Sequence, residues 1–253
     1  MRSDATAPPD ATLDRLLGGR VQLLQPAAGY RVAIDPVLLA AAIAPPAQGR
    51  VLDLGCGVGA AALCLLARRP DLRVDGLELQ PVLAALADQN ARLNGVADRF
   101  AVHRGDAAEG HPALPEGSFD AVLSNPPHLA AGTGWPTAHP GRSLAHLESS
   151  LELAGWIGRA LAWLRPRGRL TLVHRADRLG ALLAALQRGA GGVRIFPLWP
   201  RAGQPAKRVL LAAVKGSRAP ARLLPGLVLH RGAAYTAEAE AILRAGAALD
   251  LGP

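Results

Sequence analysis

Short apolar runs alternate with amphipathic segments through the middle of the chain. The apolar runs predict five strands: Arg50 to Gly55, Leu72 to Leu79, Arg99 to His103, Phe119 to Ser124 and Arg169 to His174. Helices are predicted from Gly59 to Arg68, from about His146 to Leu164, and from Pro81 to Asn94-Gly95 with Val82, Leu83, Leu86, Asn90 and Leu93 on the buried face. This alternation implies right-handed crossovers and a mostly parallel, doubly wound α/β sheet, which binds ligands at the carboxyl ends of its strands.

Two further pairs of β-rich runs flank this region. Val193 to Leu198 and Arg208 to Val214 predict an antiparallel C-terminal hairpin added to the sheet, with its loop at the ligand edge if the first strand runs parallel to the others. Val21 to Leu24 and Tyr30 to Ile34 predict a small N-terminal β-hairpin, followed by a helix that Asp35 caps. We expect an N-terminal extension over residues 1–48 that packs on a core domain over residues 49–253.

Composition narrows the class of protein. A chain of 253 residues with 50% hydrophobic content can bury one large α/β core. Its two cysteines indicate no disulfide framework, and its longest purely apolar stretch, residues 37–44, is too short to cross a bilayer, so we expect a cytoplasmic protein. The net charge of +8 favours an anionic partner such as nucleic acid. Because nearly all the cations are arginines, a GC-rich genome explains the charge equally well.

A glycine-rich turn follows the first central strand, in the sequence Asp53-Leu54-Gly55-Cys56-Gly57-Val58-Gly59. With Glu78 at a suitable distance to hold a ribose, the spacing allows an NAD-type Rossmann site and therefore an oxidoreductase. However, the carboxylate of Asp53 would contribute nothing to binding a pyrophosphate. S-adenosylmethionine carries a sulfonium and an ammonium and no phosphate, so an acidic turn attracts it. We therefore favour S-adenosylmethionine as the cofactor and keep NAD as the alternative.

The more selective motif is Asn125-Pro126-Pro127-His128, at the end of another apolar strand. Two prolines cannot continue a central strand, because neither has an N–H for the ladder and the first forces Asn125 into an extended backbone. The amide oxygen of Asn125 and the carbonyl oxygen of Pro126 would then be unpaired acceptors at the sheet edge. Such a pair suits a planar NH2 group.

The chain resembles the class I S-adenosylmethionine-dependent methyltransferases with an N-P-P-[YFWH] motif. The resemblance rests on four features in this order: the glycine turn, Glu78, Gly105-Asp106 and the Asn-Pro-Pro motif. Within that class the chain resembles the bacterial tRNA (adenine-N6) methyltransferase family. The resemblance implies a Rossmann-like sheet of seven strands. It also implies that Asp53 and the backbone at Gly55, Cys56 and Gly57 hold the methionine part of the cofactor, with Gly59 in the same cofactor-binding loop. Glu78 would accept hydrogen bonds from the ribose hydroxyls, and Asp106 would accept one from the adenine amino group.

The implied reaction is in-line transfer of a methyl group from the sulfonium to an exocyclic amine, with Asn125, Pro126, Pro127 and His128 as the catalytic motif. The expected substrate is adenine N6 in tRNA. The alternatives are a methyltransferase that acts on a protein glutamine or a small molecule and, less favoured, an NAD-binding oxidoreductase. His128 departs from the usual Tyr of the family, and a smaller ring that titrates near neutral pH leaves the substrate open.

Candidate substrate-binding residues lie in two loops. Trp135 and Arg142 belong to a long glycine-rich segment, residues 130–146, which could close over a substrate. Trp199, Arg201 and Lys207 surround the C-terminal hairpin loop, where an aromatic side chain and cations suit RNA. Arg165, Arg167 and Arg169 precede a parallel strand and are expected to form a solvated face at the opposite edge. The spacing of the histidines is not that of a metal site, so we predict no metal.

Overall fold

In the computed structural model, the described residues are 11–28, 31–44, 48–126 and 152–252. The strands are β1 (Ala11–Leu16), β2 (Val21–Pro26), β3 (Arg50–Leu54), β4 (Arg73–Glu78), β5 (Phe100–Arg104), β6 (Phe119–Ser124), β7 (Leu164–Arg175), β8 (Ala190–Arg201), β9 (Arg208–Lys215), β10 (Arg222–Leu223), β11 (Leu227–Arg231) and β12 (Ala234–Tyr235). The helices are α1 (Asp35–Ala41), α2 (Ala60–Arg68), α3 (Pro81–Leu93), α4 (Leu153–Trp163), α5 (Leu179–Leu186) and α6 (Ala237–Leu243).

The central sheet has ten strands within the described residues, and its main path runs β12-β11-β8-β9-β7-β6-β3-β4-β5. Strand β3 pairs in parallel with β4 and β6, while β9 lies antiparallel between β7 and β8. The predicted doubly wound sheet and the antiparallel C-terminal hairpin are therefore confirmed. Three short strands, β10, β11 and β12, extend the seven that were expected.

The register of the parallel strands aligns their carboxyl ends. Leu54 pairs with Leu77 on one side and with Ser124 on the other, and Ser124 pairs in turn with Leu172. Because β8 runs antiparallel to β9, and β9 antiparallel to β7, the carboxyl end of β8 lies at this same edge. The glycine turn, the Asn-Pro motif and the β8–β9 loop therefore share one side of the molecule.

Alternate residues of the central strands enter two apolar layers. In β3, Val51 packs with α1 and α2, whereas Leu52 packs with α4 and α5 on the opposite face. In β6, Leu123 and Val122 divide in the same way. Burial on both faces explains why these strands are almost continuously apolar in sequence. The boundary expected between residues 48 and 49 stays a prediction.

The N-terminal hairpin differs from the prediction. Strand β2 pairs antiparallel with β1, not with residues 30–34. Tyr30 lies outside the described residues, and residues 31–34 form no strand. The turn between β1 and β2 contains Leu17 at a φ of 50°, followed by Gly18 and Gly19 at positive φ. A leucine in that conformation is rare, so the local sequence did not indicate this turn.

Two helix predictions are also corrected. Asp35 is the first residue of α1 and not its cap, which is Ile34; the Asp35 carboxylate instead accepts from Nε of Arg208 at 3.0 Å. On α3, Val82 is 66% exposed and Leu93 is 40% exposed, while the buried side includes three alanines with Leu86 and Asn90. Small side chains allow α3 to approach its neighbours closely. The prediction placed larger apolar residues on the buried face, and for Val82 and Leu93 it is wrong.

Candidate active site

The glycine turn after β3 has the backbone of a close-approach loop. Gly55, Gly57 and Gly59 all have positive φ, at 72°, 56° and 83°. A Cβ on Gly55 would lie 3.0 Å from the Trp156 ring, and one on Gly59 would lie 2.7 Å from Phe100. A Cβ on Gly57 would meet no atom of the described residues within 4 Å. The two outer glycines therefore pack against the protein, while the middle one has open space where a side chain would stand.

Asp53 lies beneath this turn and is 2% exposed. Its Oδ2 accepts from the backbone N–H of Ala62 at 3.1 Å, in the first turn of α2. Burial raises the pKa of the Asp53 carboxyl to about 7; the hydrogen bond from Ala62 opposes this rise and the nearby Glu78 carboxylate adds to it. Asp53 is thus a helix-terminal acceptor whose charge is poorly solvated.

Glu78 ends the neighbouring strand β4 and organises the same turn. Its Oε2 accepts from Gly57 N–H and its Oε1 from Gln80 N–H, both at 2.9 Å. Both carboxylate oxygens are thereby oriented at the sheet edge, and each oxygen can accept more than one hydrogen bond. The position fits the ribose-binding role that the resemblance implies, a role that stays a prediction.

Asp106 follows β5, the next strand outward. Gly105 N–H donates to the Glu78 carbonyl at 3.0 Å, and the Asp106 carboxylate accepts from Ala108 N–H at 2.8 Å. Three carboxylates therefore stand at the carboxyl ends of three adjacent strands, β3, β4 and β5. Cys56, between the glycines, is buried, and this burial raises the pKa of its thiol well above the ordinary value. A raised thiol pKa disfavours the thiolate, which is the nucleophilic form of cysteine.

Asn125 directly follows β6, on the other side of β3. Its Oδ1 is buried and has no hydrogen-bond partner among the described residues. A buried amide oxygen without a partner is costly, and such atoms are rare outside sites that bind something. Pro126 is buried beside it. Pro127 and His128 lie outside the described residues, as do Trp135 and Arg142.

Sequence reasoning missed a polar chain that joins these two turns. Trp156 Nε1 donates to Ser124 Oγ at 3.0 Å, and Ser124 Oγ donates to the Leu54 carbonyl at 2.7 Å. The same indole packs against Gly55. These contacts fix the end of β6 to the end of β3, between the glycine turn and Asn125. The available signal was a serine in an otherwise apolar strand end.

The C-terminal hairpin places its candidates at the expected edge. Trp199 lies in β8, and its Nε1 donates to the Pro225 carbonyl at 3.1 Å. Arg201 and Lys207 are exposed at the two ends of the loop, and Arg201 donates to the Gly232 carbonyl at 3.2 Å. Strand β11 lies parallel to β8, with His230 paired to Arg201, so Arg231 joins the same edge. Sequence analysis did not indicate Arg231, because only the pairing of β11 with β8 places this residue at the edge.

The cluster at the opposite edge has the environment that was expected. Arg165, Arg167 and Arg169 are exposed at the start of β7, and Arg165 pairs with Asp120 at 2.7 Å. Across the described ranges, no group of three or more His, Cys, Asp or Glu side chains could hold a metal ion. No helix in that part of the chain has the length and apolar character needed to cross a bilayer.

Comparisons with known proteins agree with this geometry. Residues 31–139 match the family model described as "Methyltransferase small domain". The tRNA1(Val) (adenine(37)-N6)-methyltransferase of Porphyromonas gingivalis is 35% identical over 161 residues, which are 61% of this chain and 62% of that protein. The protein of the same name from Yersinia pestis is 39% identical over 104 residues, 40% of each chain. This chain thus spans less than two thirds of the length of these relatives.

A crystal structure described as "a predicted O-methyltransferase" from Agrobacterium tumefaciens is similar over 85% of this chain and 98% of that one, with a TM-score of 0.71 and 28% identity. By fold and by the arrangement of its site, the chain has the architecture of the class I methyltransferases. The particular relatives that it resembles are the bacterial tRNA (adenine-N6) methyltransferases. The resemblance predicted from the sequence is confirmed, and the matches agree with an S-adenosylmethionine-dependent enzyme.

Proposed function

We propose that this protein transfers a methyl group from S-adenosylmethionine to an exocyclic amino group, namely N6 of an adenine in tRNA. The observation that carries the proposal is the buried Oδ1 of Asn125, which has no partner among the described residues and lies one strand from the glycine turn. An acceptor held ready at that place suits an NH2 donor. The names of the similar proteins favour adenine among such donors.

In this proposal, the cofactor lies across the ends of β3, β4 and β5. The open backbone at Gly57 and the charge of Asp53 receive the methionine part, with its ammonium and sulfonium. Glu78 accepts the ribose hydroxyls, and Asp106 accepts the adenine amino group. Glu78 and Asp106 stand at the carboxyl ends of β4 and β5, which are neighbouring strands with backbones about 4.8 Å apart.

In this proposal, Asn125 and Pro126 act by positioning the substrate amine. Asn125 Oδ1 and the Pro126 carbonyl accept the two hydrogens of the amine, which aims its nitrogen lone pair at the methyl carbon. S-adenosylmethionine would supply the methyl group: the N–C bond would form as the C–S bond broke, which would leave a neutral thioether, and the extra proton of the amine would pass to water. Alignment of this kind supplies most of the rate in such transfers.

An RNA partner is supported by the charges along the ligand edge. Arg208 pairs with Asp35 and Arg175 pairs with Asp177, whereas Arg201, Lys207 and Arg231 make no salt bridge with any acid of the described residues. Strand β8 lies three strands from β6, and by register Arg201 lies six residues beyond the level of Ser124, so Arg201 is roughly 25 Å from the amine site. Cations at that separation suit backbone phosphates several nucleotides away from one whose base is turned into the site. The expected cytoplasmic location fits a tRNA substrate.

The test is transfer of tritiated methyl groups from S-adenosylmethionine to total RNA, total protein and small-molecule fractions. We expect label in RNA, at N6-methyladenine, and a loss of about a hundredfold in Asn125→Ala, because the amine loses its alignment. Binding of S-adenosylmethionine, measured by calorimetry, should stay unchanged in that variant. Label in protein glutamine would show that the substrate is a protein and not RNA. Binding of NAD in place of S-adenosylmethionine would overturn the whole proposal.

A further inference from the structure

The side chain of Asn90, on α3, is fully buried and joins three elements. Its Oδ1 accepts from Leu24 N–H at 2.7 Å, and its Nδ2 donates to the Leu24 carbonyl at 2.8 Å. The same Nδ2 donates to the Val58 carbonyl at 3.0 Å. One carboxamide therefore ties strand β2 of the N-terminal hairpin to the middle of the glycine turn.

Asn94, one helical turn later, pairs with the same strand. Gln22 N–H donates to Asn94 Oδ1 at 2.9 Å, and Asn94 Nδ2 donates to the Gln22 carbonyl at 2.6 Å. Residues two apart on a strand point their backbone groups to the same side, so the two asparagines act together like a short partner strand. The second hydrogen bond that Asn94 Nδ2 donates goes to the backbone carbonyl of Asn90, in its own helix, at 2.8 Å, and not to the glycine turn.

Val58 lies between two residues whose conformations are restricted. On one side, Gly57 has its N–H held by Glu78; on the other, Gly59 packs against Phe100. The Val58 carbonyl lies between them and accepts from Asn90 Nδ2. Glu78 and Asn90 thus hold the turn from its two sides, and the second contact comes from a residue that also holds the hairpin.

We infer that Asn90 is a positioning residue for binding of the methyl donor, S-adenosylmethionine. We also infer that it couples docking of the N-terminal hairpin to the shape of the glycine turn. The inference rests on the proposed function for the identity of the donor. If the Val58 carbonyl lost its partner, the backbone that receives the methionine part would become free to rotate. By linkage, a donor that requires the fixed turn also strengthens docking of the hairpin.

The experiment compares Asn90→Ala with Asn94→Ala, a matched control that loses bonds to the same hairpin without touching the turn. Both variants should unfold at lower temperature. We expect the Kd for S-adenosylmethionine to rise about tenfold in Asn90→Ala and less than twofold in Asn94→Ala. Equal effects of the two substitutions, or no effect of Asn90→Ala, would overturn the inference, because hairpin stability alone would then account for the data.

A second measurement uses the wild-type chain, so it does not depend on how well the variants fold. Hydrogen exchange at the Leu24 amide should slow several-fold when S-adenosylmethionine saturates the protein, and more than exchange at the Gln22 amide. Unchanged exchange at Leu24 in the donor complex would contradict the coupling. A wild-type chain that binds no S-adenosylmethionine would instead overturn the proposed function, and this inference with it.

Discussion

At the residue scale, Asp53 shows how function and stability oppose each other. The folded chain raises the pKa of this carboxyl from 3.8 to about 7, chiefly by burial. Between about pH 4 and pH 7, the folded state therefore holds a proton that the unfolded chain has lost, and the contribution of Asp53 to stability falls as the pH rises. A bound cation reverses the preference, because it stabilises the ionised carboxylate.

This gives a prediction for donor affinity. Between pH 6 and pH 7.5 the ionised fraction of Asp53 in the free protein rises from about a tenth to about three quarters, so affinity for S-adenosylmethionine should improve roughly five- to tenfold. Calorimetry at the two pH values measures the change. Asp53→Asn should bind more weakly and show little dependence on pH over this range. A variant that keeps the full pH dependence would show that another group is responsible.

At the scale of elements, the glycine turn is shaped by what lies behind it. Gly59 precedes α2 with a φ of 83°, and its face toward Phe100 has no room for a side chain. Gly57 also has positive φ, yet it faces no described atom within 4 Å. We therefore propose different purposes for the two glycines, packing for Gly59 and ligand approach for Gly57.

Alanine substitutions should separate those purposes. Gly59→Ala combines backbone strain with a clash against Phe100 and should lower the free energy of unfolding by about 2–4 kcal/mol. Gly57→Ala adds backbone strain alone, about 1–2 kcal/mol, but places a methyl group where the donor approaches. Urea unfolding and calorimetry with S-adenosylmethionine measure the two effects. Equal destabilisation, with donor affinity retained in Gly57→Ala, would refute this division.

At the scale of the whole molecule, one edge of the sheet collects the charges that face a ligand. Acids stand at the carboxyl ends of β3, β4 and β5, and cations with no described ion-pair partner stand at the carboxyl ends of β8 and β11 and in the β8–β9 loop. A cationic donor and an anionic RNA would therefore occupy different ends of one surface. The arginines at the start of β7 lie at the opposite edge, which makes them a control of equal charge.

Removing two cations from each edge tests this arrangement. Arg201→Ala with Lys207→Ala should weaken RNA binding and reduce the slope of log affinity against log salt by about one to two, while S-adenosylmethionine affinity stays unchanged. Arg165→Ala with Arg169→Ala removes the same charge at the far edge and should change RNA binding little. Filter binding at several salt concentrations compares them. Similar losses in both pairs would mean that net charge alone attracts the RNA.

The sequence by itself determined the features that depend on local backbone chemistry. The period of apolar residues defined the central strands and helices, the glycines and Asp53 defined the turn after β3, and Pro126 ended β6. Each of these features follows from the φ angle of a residue, from a missing backbone N–H or from the period of the side chains. Each can therefore be inferred from residues that are neighbours in the chain.

Only the tertiary structure decided which distant groups meet. The exposure of Val82 and the arrival of Arg231 beside Arg201 depend on packing between segments far apart in the chain. The same holds for Asn90, which in sequence is one polar residue on an amphipathic helix. Its carboxamide gains a role because folding brings two carbonyls and an N–H to it at once, and a buried polar group is stable only when such partners converge.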